Sequence, residues 1–571
     1  MKKHTLQSTA LMLALSLSCT GCGLLHKNDK EDKASETETT AEAEPGSEVE
    51  AEETAKESKE AKEPEDKTAE ADVVRAFHPN IQTERTEGSV SGEGYTYISY
   101  WLQTGGVALN DEEAREYPEL NRALADAFAS LKTSTEPVLD DLRDTAVDLQ
   151  EYTNYNTEFM VKYTPQVVRA DSRVLSYELF YEDYYGGAHG YESCDPRTFD
   201  SKTGKELSFY DVITDETVAR NAIVDALRKQ CADSDGLIEN NTPEDDAKTF
   251  FEDLNSAEYS GSVAWTLGTD RLNIYYNPYS IGSFSMGIMQ VTLLFDEYPD
   301  VVKPEYQKAP SGYAVHFEYY SDYMADIYNN GTLTNISVGY EGGQDYYHDA
   351  IKIELQGANG QTTSRVFDDM YYFELDPYYV KQDNRHFLHI FESSEDDWVA
   401  DHVYEITNGQ IEDRGEVAGR PVELDSSYYS QGELSKSTHM AAAYTDPQNL
   451  YLSRGLDAFS TYSATRHYFV GENGSLESAE PYLAGNTETA PVVKTELTVK
   501  MTDSAGKETG KTEVLPAGTV LHFYMTDNES YVVFRYGDGK YGKVSMDNSD
   551  WPQKINGQEL ESVLDGTMFA G

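Results

Sequence analysis

The chain has 571 residues and a formal net charge of −57 at neutral pH, from 45 Lys and Arg against 102 Asp and Glu. This acidic excess argues against nucleic acid as a partner, because binding phosphates needs clustered basic side chains and the sequence has no such run. Anionic lipid surfaces are disfavoured for the same reason, whereas a cationic partner would be attracted. The length allows three or four domains.

Residues 1–22 have the pattern of a secretory signal peptide. Two lysines precede the apolar run Leu11–Leu17, which is too short to span a bilayer. The run ends in the small residues of "SCTGCG", which resembles a bacterial lipobox and implies that Cys22 carries the lipid; Cys19 is the alternative. We therefore expect a lipoprotein on the extracytoplasmic face of the bacterial cell membrane, anchored to the membrane through this N-terminal lipid.

Residues 23–72 predict a disordered acidic tether. The stretch 29–72 contains 18 Asp or Glu against six Lys and almost no large apolar side chain. Such a composition cannot bury enough apolar surface to fold, and its like charges favour an extended chain.

Residues 73–300 alternate between helical and strand patterns, which predicts an α+β region with helices packed on an antiparallel sheet. The apolar spacing predicts a helix over 110–131, strands over 158–171 and 173–185, and a second helix over 214–231. We expect two subdomains with a boundary near residue 175. The second helix is expected to begin at a Thr214 cap.

Within this region the stretch "YYGGAHGY" (184–191) is the most distinctive. Its glycines fit a turn with left-handed backbone, and the histidine can tie such a turn through a ring hydrogen bond. A loop that contacts a ligand is the alternative, whereas catalysis or metal binding is disfavoured because no second ligand or acid–base partner has a recognisable spacing. The candidate ligand-binding residues here are Tyr185, Gly186, Gly187, His189 and Gly190.

The segments 181–213 and 271–298 together resemble a known family. They contain the Gly-Gly-Ala-His-Gly turn, a Phe-Asp-x-x-Thr-Gly-Lys-x-Leu hairpin from Phe199 to Leu207, and Asn-Pro-Tyr-x-Ile from Asn277 to Ile281. These motifs resemble the extracellular domain shared by RsiV-type anti-sigma factors and PdaC-type peptidoglycan deacetylases. The resemblance adds Pro278 and Tyr279 as candidate ligand-binding residues.

The same resemblance implies an extracellular sensing or binding role. RsiV-type proteins bind lysozyme and carry a sigma-binding segment, and PdaC-type proteins carry a metal-dependent deacetylase domain. The sequence shows neither of those two parts. The stretch "VFDD" (366–369) lacks the threonine and the later histidines of a deacetylase motif, so it is interpreted as a coincidence.

Residues 301–485 predict an all-β middle domain rich in tyrosine, which suits half-buried strand positions. Residues 386–417 read as a hairpin meander with an Asn-Gly turn. His386 and His389 lie three apart in a strand pattern and would project from opposite faces, so they cannot share a metal. Sugar binding on stacked aromatic rings stays an alternative for this domain.

Residues 490–550 resemble a bacterial SH3-like domain and predict a small β-barrel, followed by a tail over 551–571. The resemblance rests on Gly518 at the first turn, the "YVVF" strand and the "GDGKYGKV" hairpin. In that family these barrels often contact cell-wall peptides. The strand that usually contains a tryptophan lacks it here, so a structural role is an equal alternative.

Cys194 and Cys231 are the two cysteines of the folded part, and outside the cytoplasm they could form a disulfide. Cys231 also continues an apolar helical stripe with Ile223 and Leu227, so a small core residue is the alternative.

Two functions of different class follow from these observations. The first is a non-enzymatic binding or sensor lipoprotein for a cell-wall component or a cationic wall-attacking protein such as lysozyme. The second is an accessory to, or a component of, peptidoglycan-modifying enzymes. No catalytic constellation, cofactor or metal site is expected, because no nucleophile, carboxylate pair or ligand set has a recognisable spacing.

Overall fold

The computed structural model describes residues 73–91, 97–150, 157–231, 237–238, 241–256, 261–318, 321–342, 350–367, 372–394, 399–421, 423–431, 434–485 and 490–569. The predicted signal peptide, the predicted lipidation site at Cys22 and the predicted acidic tether lie outside these residues. The described chain is mostly β, with several sheets. Within it, no helix combines the length and the apolar character that crossing a bilayer requires.

The first region combines helices with two sheets. Its elements are β1 (Asn80–Ser91), β2 (Tyr97–Ala108), α1 (Asp111–Glu116), α2 (Pro118–Gln150), β3 (Thr157–Ala170), β4 (Val174–Tyr184), β5 (Tyr191–Cys194), β6 (Arg197–Asp200), α3 (Phe209–Val212), α4 (Glu216–Gln230), α5 (Pro243–Leu254), β7 (Val263–Leu267), β8 (Arg271–Tyr276), a 3₁₀ turn (Phe284–Met286), β9 (Met289–Leu294) and α6 (Pro304–Gln307). The predicted strands and the predicted second helix are therefore present, but the helix predicted over 110–131 is divided at Tyr117 into α1 and α2, and α2 continues to Gln150.

The larger sheet contains β1 to β6. The strands β2 and β3 pair in parallel, joined by the long helix α2, and the other neighbours are antiparallel. Helix α2 packs across β1 and β2 through Leu120 and Leu124, which are fully buried, as the apolar spacing predicted.

The smaller sheet contains β7, β8 and β9, and α4 and α5 pack with it in one hydrophobic core. Ile223, Leu227 and Cys231 are all buried in this core, so the predicted helical stripe is confirmed. The predicted Thr214 cap is wrong, because the side chain of Asp215 accepts the backbone N–H groups at the start of α4. The Thr214 hydroxyl donates instead to the carbonyl of Asp300, at 2.5 Å.

The middle region is all β, as predicted. Its strands are β10 (Gly312–His316), β11 (Asp322–Ala325), β12 (Thr334–Glu341), β13 (Ala350–Gly357), β14 (Thr362–Phe367), β15 (Tyr372–Gln382), β16 (Arg385–Ser394), β17 (Val399–Glu405), β18 (Glu412–Ala418), β19 (Arg420–Pro421), β20 (Glu423–Gln431), β21 (Leu434–Ala442), β22 (Leu450–Asp457), β23 (Thr461–Val470), β24 (Leu476–Glu477) and β25 (Tyr482–Ala484). The predicted meander is β16, β17 and β18, and left-handed backbone at Asn408 and Gly409 makes the turn between the last two strands.

The C-terminal region continues in β structure. Its elements are β26 (Val492–Val493), β27 (Glu496–Thr502), β28 (Glu508–Pro516), β29 (Leu521–Thr526), β30 (Tyr531–Tyr536), β31 (Lys540–Asp547), β32 (Lys554–Ile555), β33 (Gln558–Glu559), α7 (Leu560–Val563) and β34 (Leu564–Asp565).

The predicted small barrel needs correction, because the described strands of this region do not close into a ring. They follow the open order β25-β29-β30-β31-β27-β28. Closure would require β28 to pair with β29. The edge of β29 that faces away from β30 is instead paired with β25, with Tyr482 opposite Thr526. The turn at Gly518 and the closing hairpin of β30 and β31 are present as predicted.

Candidate functional site

The distinctive stretch 184–191 connects β4 to β5. Gly186 and Gly187 have left-handed φ angles of 83° and 113°, which other residues adopt only with strain. At Gly190 a Cβ atom would lie 1.8 Å from the carbonyl oxygen of Asp183, so only glycine allows this close approach. These glycines therefore shape the hairpin loop, as the turn interpretation predicted.

The base of the loop is fastened by Asp183. Its carboxylate accepts the Tyr191 backbone N–H at 3.1 Å and the Tyr181 hydroxyl at 2.7 Å. Burial raises the pKa of Asp183 above its ordinary value, and the two hydrogen bonds oppose that shift. Tyr185 is half-buried, and burial together with the charge of Asp183 raises its pKa.

His189 is exposed at the tip of this loop. Its Nδ1 lies 2.8 Å from the carbonyl oxygen of Gly190, which is the ring hydrogen bond that the turn interpretation predicted. The imidazole stacks on the ring of Phe284, with 4.0 Å between centroids and 24° between planes. The side chain is thus held in place while it stays accessible to a partner.

The second candidate loop follows β8. Asn277 is buried, and its amide bonds both backbone groups of Cys194: Oδ1 accepts the N–H at 2.8 Å and Nδ2 donates to the carbonyl at 3.3 Å. This links the loop to the end of β5. Tyr279 has a left-handed φ of 71° and is 61% exposed. Pro278 is buried, so any direct contact between Pro278 and a ligand stays a prediction.

The two candidate loops meet at Phe284. The Phe284 ring stacks on His189 and lies 5.8 Å from the ring centroid of Tyr279. We call His189, Tyr279 and Phe284 the aromatic patch. Both loops were predicted from the sequence, but Phe284 was not, because it lies in the segment 271–298 outside the recognised motif Asn277 to Ile281.

An acidic side chain borders the aromatic patch. The Glu192 carboxylate packs against Gly287, where a Cβ atom would lie 2.9 Å from Oε1, and Gly287 directly follows the 3₁₀ turn of Phe284. Glu192 also lies opposite Glu182 across β4 and β5, and Lys162 bonds Glu182 at 3.2 Å. Aromatic faces beside a carboxylate attract lysine and arginine side chains of a partner.

The other residues considered from the sequence are separate from this surface. The Tyr379 hydroxyl lies 2.6 Å from His386 Nδ1, and Tyr379 belongs to one hydrophobic cluster. His389 Nδ1 lies 2.8 Å from a carboxylate oxygen of Asp401, and the His389 ring lies 5.4 Å from that of Tyr444, which belongs to a different cluster. The two histidines therefore project from opposite faces of β16, as predicted.

The two cysteines are free thiols in the structure. Cys194 packs with Ala264 and Tyr275, whereas Cys231 ends α4 in the core beneath that helix. The disulfide considered between them is not formed, because each thiol is a small buried residue of its own cluster. Burial raises the pKa of both thiols, which disfavours the reactive thiolate.

Residues 210–296 match the family described as "Protein of unknown function (DUF3298)", so the chain contains a DUF3298 domain over these residues. This range includes Tyr279 and Phe284 but begins after the His189 loop. No curated protein matches the chain.

Two crystal structures of DUF3298 family proteins are similar to part of the chain. One, from Bacteroides fragilis NCTC 9343, has 13% sequence identity and a TM-score of 0.28, and the match covers 41% of this chain and 94% of that one. The other, from Pseudomonas aeruginosa PAO1, has 17% identity and a TM-score of 0.26, with 42% and 96% covered.

Proposed function

We propose that this protein is a lipid-anchored, extracytoplasmic binding or sensor protein that recognises a cationic protein, such as lysozyme, through the aromatic patch, without catalysing a reaction. The observation that carries the proposal is the meeting of two family-like loops at Phe284, where the His189 and Tyr279 rings are exposed and Glu192 lies against the neighbouring Gly287. Loops held on a sheet scaffold are common recognition surfaces.

Charge supports the choice of a cationic partner. The chain has a net charge of −57, and residues 29–72 of the tether contribute only −12 of it, from 18 acids and six lysines. Such a field steers a basic protein toward the surface, and the aromatic patch then offers rings for its lysine and arginine side chains. The resemblance to RsiV-type proteins, which bind lysozyme, agrees with this choice.

The anchoring part of the proposal rests on the sequence alone. Cys22 would carry the lipid, and residues 23–72 would hold the folded part away from the membrane. A finer relation to the RsiV-type and PdaC-type extracellular domain and an SH3-like character of residues 490–550 belong to the same proposal. The alternative partner is a cell-wall component, which the PdaC-type and SH3-like resemblances favour.

Binding measurements on two single variants test the role of the aromatic patch. We expect Tyr279→Ala and Phe284→Ala each to weaken lysozyme binding by about 30-fold, on the order of 2 kcal/mol, because aromatic anchors dominate interface energies. Calorimetric titration of the full-length protein in detergent provides the affinities. Tyr328→Ala is the matched control, since Tyr328 is 39% exposed and is not part of the aromatic patch.

Thermal melts of each variant accompany the titrations and separate lost binding from lost folding. Unchanged affinity in both folded variants would show that the partner binds elsewhere. If the protein binds purified wall fragments but not lysozyme, its partner is a cell-wall component and not a cationic protein. Because steering is electrostatic, we also expect slower lysozyme association at higher salt concentration.

A further inference from the structure

Three neighbouring strands of the middle region bring a histidine and two glutamates together. In the sheet register His402 on β17 lies opposite Ile390 on β16 and opposite Glu416 on β18, and Glu392 follows Ile390 by two positions. Since paired residues and alternate positions share a face, Glu392, His402 and Glu416 lie on one face of the sheet. One ligand atom from each lies within 4.8 Å of the other two.

Glu392 is a buried carboxyl group with an unsatisfied oxygen. The residue is 2% exposed, and its Oε2 has no hydrogen-bond partner in the part of the chain that the structure describes. Its Oε1 lies 3.9 Å from Nδ1 of His402, so the group is directed at the shared site. An unpaired buried carboxylate is costly, and a bound cation would remove that cost.

The imidazole of His402 is oriented to coordinate through Nδ1. Its Nε2 lies 3.2 Å from Oδ1 of Asp413, which also accepts the Gly415 backbone N–H at 2.7 Å. A proton on Nε2 donated to Asp413 leaves the Nδ1 lone pair toward Glu392. The ring also stacks on Tyr404, with centroids 4.5 Å apart. Carboxylates that hold the second nitrogen in this way are typical partners of metal-binding histidines.

We propose that Glu392, His402 and Glu416 bind a divalent transition-metal cation such as Zn²⁺, with Asp413 as the residue that positions His402. One imidazole and two carboxylates suit Zn²⁺, whereas Ca²⁺ and Mg²⁺ prefer oxygen ligands throughout. Glu416 is exposed, so the site is open to solvent at one side and a further coordination position can take water. This site is independent of the aromatic patch and does not rest on the proposed function.

A metal site was not predictable from the sequence, because the fold alone brings these ligands together. The three ligands come from three strands, and their spacing in the chain matches no metal motif. The register of β16, β17 and β18 brings them together, and the β-bulge between His402 and Tyr404 lies directly beside the site.

Metal titration of the full-length protein tests the proposal. After treatment with a chelator, we expect one equivalent of Zn²⁺ to bind in the micromolar range or tighter by calorimetry, and to raise the melting temperature. Glu416→Gln should weaken binding at least tenfold, and because Glu416 is exposed this variant should fold normally. Glu392→Gln, which is nearly isosteric, should weaken it similarly, and Asp413→Asn should weaken it by about 10- to 100-fold.

A histidine outside the proposed site provides the matched control. His467 is partly buried, as His402 is, and lies 3.8 Å from the exposed Glu480, so His467→Gln removes a comparable pair and should leave Zn²⁺ binding unchanged. The acidic tether is the same in every variant, so any weak binding to it cancels in the comparison. Three results would overturn the proposal: no stoichiometric Zn²⁺ binding, equal binding by folded Glu416→Gln and Glu392→Gln variants, or binding of Ca²⁺ without preference for Zn²⁺.

Discussion

Glu178 lies on β4 within a buried polar network. The hydroxyl of Tyr275 donates to its carboxyl group and lies 2.9 Å from Oγ1 of Thr266. Burial raises the pKa of Glu178 to about 7, although the bond from Tyr275 and the charge of His316 act in the opposite direction. The folded protein therefore keeps a proton on this group at pH values where an unfolded chain has released it.

This retained proton predicts a pH-dependent stability. Between pH 4.5, the ordinary value, and about 7, only the folded state binds the proton, so the free energy of unfolding falls as pH rises. The Glu178 contribution to this loss should be about 3 kcal/mol. Denaturant unfolding of the parent and of Glu178→Gln at pH 5 and pH 8 measures it, and the variant should lose less stability across this range.

The exposed Glu252→Gln serves as the control for that measurement, because its side chain is 64% exposed and paired with Lys248 on the surface of α5. This variant should follow the parent at both pH values. Equal pH dependence in the parent and in Glu178→Gln would mean that Glu178 is ionised in the folded protein.

Among the candidate site residues, the glycines that determine the backbone conformation of the loop were predictable from the sequence. Phe284, which packs between the two loops, was not. Gly186, Gly187 and Gly190 were recognisable because several glycines within one short stretch predict left-handed backbone or close approach. Phe284 was not recognisable, because the sequence around a single phenylalanine does not indicate which other ring it will contact in the folded protein. Its contact with His189 joins a loop between β4 and β5 of the larger sheet to a turn between β8 and β9 of the smaller sheet, so it depends on how two separate sheets lie together.

At the scale of single elements, local patterns predicted the positions of helices and strands well, but they predicted the capping residue of α4 less well. The apolar spacing identified α2, α4, β3 and β4, because burial of one face follows directly from periodicity. The cap of α4 was misplaced by one residue, since Thr214 and Asp215 are both favourable caps and only the backbone geometry distinguishes them.

The cap of α4 provides a test at this scale. Asp215→Ala should lower the free energy of unfolding by about 1 kcal/mol, because the N–H groups of Thr217 and Val218 lose their side-chain acceptor. Asp215→Asn should retain most of the stability, since asparagine also caps well. Denaturant unfolding of both variants checks this, and parental stability in the alanine variant would contradict the assigned cap.

At the scale of the whole molecule, strand pairing crosses the domain boundaries that the sequence predicted. The hairpin of β20 and β21 extends the first sheet, with β21 paired to β1 from Asn80 opposite Ala442 to Glu87 opposite Ser435. Arg169 of β3, fully buried, donates to the carbonyls of Gly268, Tyr306 and Lys308, so one side chain attaches the turn between β7 and β8 and the segment around α6 to the first sheet. Strand sequences do not specify their distant partners, which is why these links could not be predicted.

The pairing of β1 with β21 leads to a prediction for a truncated chain. A fragment of residues 73–310 lacks β21, so the backbone N–H and C=O groups at the outer edge of β1 lose their hydrogen-bond partners. An exposed strand edge of this kind pairs readily with another chain. We expect this fragment to melt at a lower temperature than a fragment of residues 73–571 and to self-associate, as measured by thermal melts and size-exclusion chromatography. Adding the hairpin residues 420–445 through a flexible linker should restore a monomer, because it supplies the missing strand. A monomeric 73–310 fragment as stable as the longer one would instead establish the first region as an independent domain.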